Sequence, residues 1–312
     1  MFWKGSVEMN SVLSTDKLTK QFGKIRAVDG VSLHVKKGEI YGFIGRNGAG
    51  KTTFMKMISG LSAPTDGEIT LFGHSGVAAR KHYSRIGNLI EAPGLYPGMT
   101  GFENLKCKVL ALGIHKKGYE ESLLEIVGLG QAGGKKAGKY SLGMKQRLGI
   151  AMAMVGGPDF LVLDEPINGL DPQGIAEVRE TLLKLRDEQG ITIMISSHIL
   201  EELYKVADTF GIIHEGRLVK ELTREALEET CSDYLEISTD QTEAASTVIE
   251  QMGIHDYKVV GKETIRLYEG LERSGEINHR LILADVRVRE LKVEQENLED
   301  YFLKLTGGGE NV

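Results

Sequence analysis

One loop constrains the fold of this sequence more than any other feature: residues Gly45 to Thr53 have the sequence GRNGAGKTT. The loop follows the apolar run Glu39–Ile44, which predicts a buried strand, and it opens a segment with helical spacing. The apolar residues of that predicted helix share one face: Phe54, Met57, Ile58 and Leu61. A glycine-rich loop between a strand and a helix N-terminus is typical of a P-loop, which holds phosphates.

This loop supplies candidate contacts to a nucleoside triphosphate and a metal ion. Lys51 would neutralise phosphate charge, and the Thr52 hydroxyl would bind Mg²⁺. With 39 glycines in the chain, a bare match to the pattern arises by chance in roughly a few per cent of such sequences. The strand before the loop and the helix after it make chance a poor explanation. The candidate phosphate contacts are Gly45, Asn47, Gly48, Ala49, Gly50, Lys51, Thr52 and Thr53.

Polar side chains end two further apolar strands. Phe160–Leu163 is followed by Asp164 and Glu165, and Ile191–Ile195 is followed three residues later by His198. Such strands end at the carboxyl edge of a parallel sheet, where Asp164 would hold Mg²⁺ and Glu165 would deprotonate the attacking water. His198 would bond a γ-phosphate oxygen. Taken alone, the acidic pair is typical of a surface turn and a lone histidine of a structural residue; the P-loop upstream favours the catalytic interpretation.

Size and composition limit the classes of protein. The chain has 312 residues, of which 41% are hydrophobic and 26% charged, which fits one large core plus a smaller appendage. The net charge of −6 and the lack of a basic block argue against a nucleic-acid partner. No apolar stretch reaches the roughly eighteen residues that a membrane span needs, so we expect any span to come from another chain. Two distant cysteines predict free thiols in a reducing compartment.

The pattern along the chain predicts an α/β unit followed by a smaller domain. Strand-like spacing covers Thr15–Leu33, a largely helical region covers about residues 92–157, and Ile175–Glu188 is a predicted helix. Beyond about Leu222, we expect a small α+β domain, with a ferredoxin-like arrangement as one candidate. In the first unit, Glu68–Phe72 is a further predicted strand. The predicted strands of the small domain are Tyr234–Ser238, Tyr257–Val260, Thr264–Tyr268 and Val286–Leu291. Its predicted helices are Glu243–Met252, Glu272–Leu283 and Asn297–Leu305.

A further motif gives a resemblance to a known family. Tyr140–Arg147, YSLGMKQR, resembles the signature motif of the nucleotide-binding domains of ABC transporters, and it precedes the strand that ends in Asp164. Asn168–Pro172 resembles the D-loop of that family, and His198 matches its switch histidine. The similarity covers roughly residues 12–225.

The resemblance implies a fold and a set of partners. It implies a RecA-like core with an inserted helical subdomain at about 92–157 and an N-terminal antiparallel β part, all within a nucleotide-binding domain at 12–225. Residues 226–312 would then be an accessory α+β domain. It also implies that ATP on one P-loop is covered by Ser141 and the Gly143 amide of a second copy. Asp171 belongs to the matched D-loop, and Phe22 matches the aromatic residue that stacks on adenine.

Departures from the family pattern indicate one subgroup of the family. Leu142 and Met144 stand where the family usually has Gly and Gln, and Glu91 stands at the position of its Q-loop glutamine. Glu91 is a further candidate Mg²⁺ ligand, because a carboxylate can bind the ion directly or through water. The segment Glu91–Pro97 and the ending Leu298–Leu305 resemble ABC-2 exporter ATPases of the bacitracin-resistance and lantibiotic-immunity type.

The resemblance implies an ATPase that works at a membrane without crossing it. Two copies would form a homodimer around MgATP and drive a separate permease at the cytoplasmic face, exporting a peptide antibiotic or a similar amphipathic compound. An alternative is a soluble ABC ATPase that acts on the ribosome or on nucleic acid. Such factors typically carry two cassettes, whereas this chain has one P-loop. A simple nucleotide kinase would leave Ser141–Arg147 and His198 unexplained.

Overall fold

Parallel and antiparallel strands occupy separate sheets in this chain. The computed structural model describes residues 11–230, 233–295 and 298–306. The chain divides into two units, residues 1–224 and 225–312. The strands of the first unit are β1 (Ser11–Phe22), β2 (Ile25–Lys36), β3 (Ile40–Ile44), β4 (Asp66–Leu71), β5 (His74–Ser75), β6 (Ile86–Leu89), β7 (Phe160–Leu163), β8 (Thr192–Ser197), β9 (Thr209–His214) and β10 (Arg217–Thr223). Its helices are α1 (Lys51–Ile58), α2 (Gly76–Ala79), α3 (Gly101–Ala111), α4 (Tyr119–Ile126), α5 (Leu142–Ala153), α6 (Pro172–Gln189) and α7 (Leu200–Tyr204). The helix α8 (Arg224–Thr230) begins at Arg224, the last residue of the first unit.

The main sheet has the strand order β10-β9-β3-β8-β7-β6 among the described residues. All its neighbouring pairs are parallel except β9 and β10, which are antiparallel. β3, β7 and β8 are buried along their whole length, and cover on both faces explains the continuous apolar runs Phe160–Leu163 in β7 and Ile193–Ile195 in β8. The predicted parallel α/β core is confirmed.

A second sheet, with the order β2-β1-β4-β5, is antiparallel. Its alternating strands bury one face against α1 and the main sheet in one shared core that includes Leu33, Phe54 and Phe160. The predicted N-terminal antiparallel part is therefore confirmed. The core forms because each element has a single apolar face to bury.

The inserted helices α3, α4 and α5 lie between β6 and β7 in the sequence. Two close approaches hold α5 against the edge of the main sheet. A Cβ added at Gly87 of β6 would lie 2.2 Å from the Ala153 carbonyl oxygen, and one added at Gly149 of α5 would lie 2.8 Å from Pro93 Cβ. At Gly87 the strand therefore lies directly against the backbone of α5, and at Gly149 the helix makes room for the side chains of Leu89 and Pro93.

The second unit consists of β11 (Asp233–Ser238), α9 (Thr242–Gln251), β12 (Tyr257–Val260), β13 (Thr264–Leu267), α10 (Ser274–Leu283), β14 (Glu290–Gln295) and α11 (Leu298–Leu305). Its sheet has the order β12-β13-β11-β14, and every neighbouring pair is antiparallel. Through β14 this is the β-α-β-β-α-β arrangement of the ferredoxin-like fold. Leu235, Ile237 and Ile265 form a separate core with residues of α9 and α10.

Two expectations from the sequence were wrong, and several strands were not predicted. Leu61 does not lie on the buried face of α1: the helix ends at Ile58, the chain turns back so that Leu61 N donates to Lys56 O, and Leu61 is 62% exposed. The last strand begins at Glu290 rather than Val286, whose N–H instead bonds Leu281 O at the end of α10. The sequence also gave no prediction of β6, β9 and β10.

The contact between β6 and α5 can be tested by substitution. We expect Gly87→Ala to lower the free energy of unfolding by about 1–3 kcal/mol, because its Cβ would overlap the Ala153 carbonyl. Urea unfolding of both proteins measures the difference. Gly134→Ala is the matched control, since a Cβ there meets nothing within 4 Å. Equal losses in the two variants would contradict the tight contact.

Candidate active site

Three strand ends bring the predicted site residues together. The P-loop follows β3, Asp164 and Glu165 follow β7, and His198 follows β8. β8 pairs in parallel with both of the others, with Ile44 opposite Ser197 and Leu163 opposite Ile195. The carboxyl ends of all three strands therefore meet at one edge of the sheet, where open α/β sheets bind ligands.

The P-loop presents main-chain N–H groups that no protein oxygen occupies. Among the described residues, the N–H groups of Gly48, Gly50, Lys51 and Thr52 donate to no protein acceptor. Gly50 has φ 106° at the start of α1, and a Cβ there would lie 2.3 Å from the Ala27 carbonyl oxygen. This backbone is open only to glycine, and it leaves a cradle of donors at a helix N-terminus that fits phosphate oxygens.

The ammonium group of Lys51 lies inside this cradle. The residue is only 5% exposed, and its Nζ donates to the carbonyl oxygens of Gly45 at 2.6 Å and Arg46 at 3.3 Å. Its ion pair with Glu165 joins Nζ and Oε1 at 3.0 Å. The cation is thus positioned between the loop and the acidic end of β7.

Asp164 and Glu165 have different surroundings. Asp164 is 3% exposed, and Thr52 Oγ1 donates to its Oδ2 at 2.7 Å. Glu165 has a left-handed backbone with φ 49°, an uncommon conformation that stores strain in a residue other than glycine. Its Oε2 lies 2.8 Å from His198 Nδ1. The P-loop, both acids and His198 are therefore joined by direct contacts.

The residues of the signature motif and the D-loop lie at two helix N-termini that touch. Ser141 caps α5, where its Oγ accepts from Met144 N at 3.2 Å, and Asp171 caps α6, where its Oδ1 accepts from Gly174 N at 3.0 Å. A Cβ added at Gly143 would lie 3.3 Å from Gly174 Cα. Both N-termini favour negative charge.

Arg147 ties this pair of helices together. It is 8% exposed, and its guanidinium donates to Val127 O at 2.9 Å, to Gly128 O at 3.1 Å and to Glu177 Oε2 at 2.8 Å. Glu177 lies on α6, and the two carbonyls follow α4. The guanidinium therefore connects α5 to α6 and to the end of α4.

Two predicted residues lie apart from this contact network. Phe22 is 55% exposed at the end of β1, with Lys20 Nζ 5.1 Å from its ring centroid. Glu91 has φ 65° and an exposed side chain whose Oε1 lies 2.5 Å from Lys56 Nζ. Its contact is with the side of α1, not with Thr52 or Asp164. Sequence reasoning missed Lys56, since nothing in the sequence pairs it with Glu91.

Comparisons with known proteins agree with this geometry. A family model described as "ABC transporter" matches residues 28–168. The bacitracin transport ATP-binding protein BcrA of Bacillus licheniformis is 45% identical over 303 residues, which covers 96% of this chain and 99% of that protein. The lantibiotic transport ATP-binding protein SrtF of Streptococcus pyogenes is 42% identical, over 67% of this chain and 90% of its own length. The chain belongs to the ABC transporter ATP-binding proteins.

A solved structure supports the same assignment. The crystal structure of an ATP-binding cassette of an ABC transporter in its ADP conformation matches with a TM-score of 0.63 and 27% identity. The match covers 68% of this chain and 91% of that cassette. The predicted P-loop ATPase fold and the narrower resemblance to bacitracin and lantibiotic ATPases are confirmed.

This membership decides the biochemical class. The chain is the ATP-binding, ATP-hydrolysing subunit of an ABC transporter. The alternative of a soluble factor acting on the ribosome or on nucleic acid is not supported by these relatives. Within residues 11–230, 233–295 and 298–306, every helix is too short or too polar to cross a bilayer.

The backbone of the P-loop gives a direct test of nucleotide binding. We expect Gly50→Ala to weaken ATP binding at least about tenfold, the equivalent of 1.4 kcal/mol, because its Cβ would push the loop away from Ala27. Equilibrium titration with a fluorescent ATP analogue measures the affinity. Gly98→Ala, which has open space around the added Cβ, should bind like the wild type. Unchanged affinity in Gly50→Ala would contradict the role given to this loop.

Proposed function

We propose that this subunit binds MgATP on its P-loop, that two copies close around two ATP molecules, and that hydrolysis drives a separate membrane permease. One observation carries the proposal. An ammonium group, a hydroxyl and two carboxylates, from Lys51, Thr52, Asp164 and Glu165, meet beside a cradle of unpaired N–H groups. This is the set of groups that phosphoryl transfer to water needs.

The surroundings of Asp164 fit a magnesium ion. The carboxylate is buried, both of its oxygens accept from hydroxyl groups, and no cationic side chain among the described residues pairs with it. A buried carboxylate without a counter-ion is unfavourable, and hard oxygen donors suit Mg²⁺. Thr52 and Asp164 would hold the ion, with Glu91 as a further candidate ligand. Bound there, Mg²⁺ would offset the charge of the phosphate oxygens.

Glu165 is the proposed general base. Its carboxylate takes a proton from a water molecule while the water oxygen bonds to the γ-phosphorus and the bond to the bridging oxygen breaks, which gives ADP and phosphate. Lys51 and His198 hold the two oxygens of Glu165. The second nitrogen of His198 is then available to a γ-phosphate oxygen.

The site is completed by a second copy in this proposal. Ser141 and the Gly143 amide would cover the γ-phosphate of the partner's ATP, and Asp171 would lie at the same interface. The adjoining N-termini of α5 and α6 support this role, since both favour an anion. Phe22 would stack on adenine, and its exposed ring is accessible for that contact.

The partner is proposed to be a membrane permease that holds the subunit at the cytoplasmic face of the membrane. Because BcrA and SrtF are named for transport of bacitracin and of a lantibiotic, we propose a peptide antibiotic or a similar amphipathic compound as the exported substrate. No nucleic acid is part of this function.

The domain assignment is part of the proposal. Residues 12–225, with the helical subdomain at about 92–157, would form the nucleotide-binding domain. Residues 226–312 would be an accessory domain that supports dimerisation or regulation. The separate core of the second unit supports an independent role for it.

The Glu165→Gln variant tests the mechanism. We expect turnover to fall at least about 100-fold because the general base is lost, while ATP binding persists and a dimer accumulates with MgATP. Size-exclusion chromatography with light scattering measures the dimer. Lys51→Ala added to this variant should abolish the dimer by weakening ATP binding, by about 1.5–3 kcal/mol for the lost charged hydrogen bonds. Normal ATP turnover in Glu165→Gln would contradict the assignment of Glu165 as the general base.

Removal of residues 225–312 tests the accessory domain. We expect the shortened chain to bind ATP as the full chain does, because the P-loop and its core lie in the first unit. If the domain supports dimerisation, the Glu165→Gln form of the shortened chain should need a higher protein concentration to dimerise with MgATP. If the domain regulates the enzyme, the shortened chain should hydrolyse ATP at a different rate from the full chain. If dimer formation and turnover both match the full chain, the accessory domain has neither proposed role.

A further inference from the structure

Ser196, at the carboxyl end of β8, contacts both acidic residues of the site. The residue is fully buried. Its Oγ donates to Asp164 Oδ1 at 2.6 Å and accepts from Glu165 N at 2.9 Å. A hydroxyl has one proton, and a backbone N–H can only donate, so the proton of Ser196 must point to Asp164. The direction of both hydrogen bonds is therefore fixed.

The first of these bonds holds the plane of the Asp164 carboxylate. Ser196 binds Oδ1 while Thr52 binds Oδ2, and Asp164 N donates to Leu89 O at 2.8 Å. With one hydroxyl on each oxygen, the carboxylate cannot rotate without breaking a buried hydrogen bond. The oxygen that faces Thr52 is thus kept in place by Ser196 on the other side.

The second bond holds the strained backbone of Glu165. A φ of 49° is unfavourable for a residue with a Cβ and persists only where the surroundings impose it. Ser196 accepts the N–H of this residue in its left-handed conformation. The same conformation aims the side chain so that it contacts both Lys51 and His198.

We infer that Ser196 is a positioning residue whose one hydroxyl orients both the acid that would hold Mg²⁺ and the general base. The inference deepens the proposed function and rests on its roles for Asp164 and Glu165. Outer groups of this kind set the geometry of metal ligands, and their loss costs about 10-fold to 100-fold in metal affinity or activity. The hydroxyl of Ser196 acts through its neighbours and does not need to touch the nucleotide.

A pair of variants of equal size separates the hydroxyl from packing. Ser196→Thr retains the hydroxyl and adds a methyl group, and Ser196→Val adds similar volume without the hydroxyl. Ser197→Ala is the control: Ser197 is equally buried, but its Oγ accepts from Ile199 N at 3.0 Å and touches neither acid.

The experiment measures binding and turnover of the full chain. Binding of a fluorescent, non-hydrolysable ATP analogue is titrated in EDTA and then at rising Mg²⁺ concentration. In EDTA, all variants should bind alike, because the P-loop is unchanged. We expect Ser196→Val to need about tenfold more Mg²⁺ than Ser196→Thr for half-maximal tightening, and to hydrolyse ATP about tenfold more slowly. Ser197→Ala should match the wild type in both measurements.

The outcomes distinguish this inference from the proposed function. If wild-type binding responds to Mg²⁺ but Ser196→Thr and Ser196→Val behave alike, the hydroxyl has no positioning role and the inference is overturned. An equal loss in Ser197→Ala overturns it as well, because the effect would belong to the strand rather than to Ser196. If the wild type shows no response to Mg²⁺ and Glu165→Gln hydrolyses ATP normally, the proposed function itself fails.

Discussion

The parallel pairing of β3, β7 and β8 is the constraint on which the site depends. It is the register of these strands that places the P-loop, the acidic pair and His198 at one edge of the sheet. No two of these segments are close in sequence, so their chemistry exists only once the sheet has formed. The fully buried, apolar strands supply the free energy for that assembly through their burial.

Much of the site could be predicted because its chemistry depends on local sequence. A P-loop needs its glycines, its lysine and its threonine within one turn, and an acidic residue must follow directly after a buried strand. For the same reason β3, β7 and α1 were predicted at or within one residue of their starts. The residue pattern also indicated the helical region at about 92–157, whereas the antiparallel pairing of the N-terminal strands came from the family resemblance.

What the sequence could not provide was long-range contact. Ser196 is one of two adjacent serines at the end of β8, and only the distances to Asp164 and Glu165 distinguish it from Ser197. Glu91 was predicted because it stands at the Q-loop position of the family, and its ion pair with Lys56 depends on the backbone after β6. The late start of β14 has a similar cause: the apolar residue Val286 belongs to the turn that closes α10.

The close contact between the N-termini of α5 and α6 links the inserted helices to the acidic end of β7. Glycine faces glycine where the helices begin, and one guanidinium joins their flanks, so sliding one helix past the other would break the hydrogen bond between Arg147 and Glu177. The loop before α6 is continuous with Glu165. The main chain therefore leads from the acidic end of β7 directly into α6, and the contact of α6 with α5 continues that covalent path into the inserted helices.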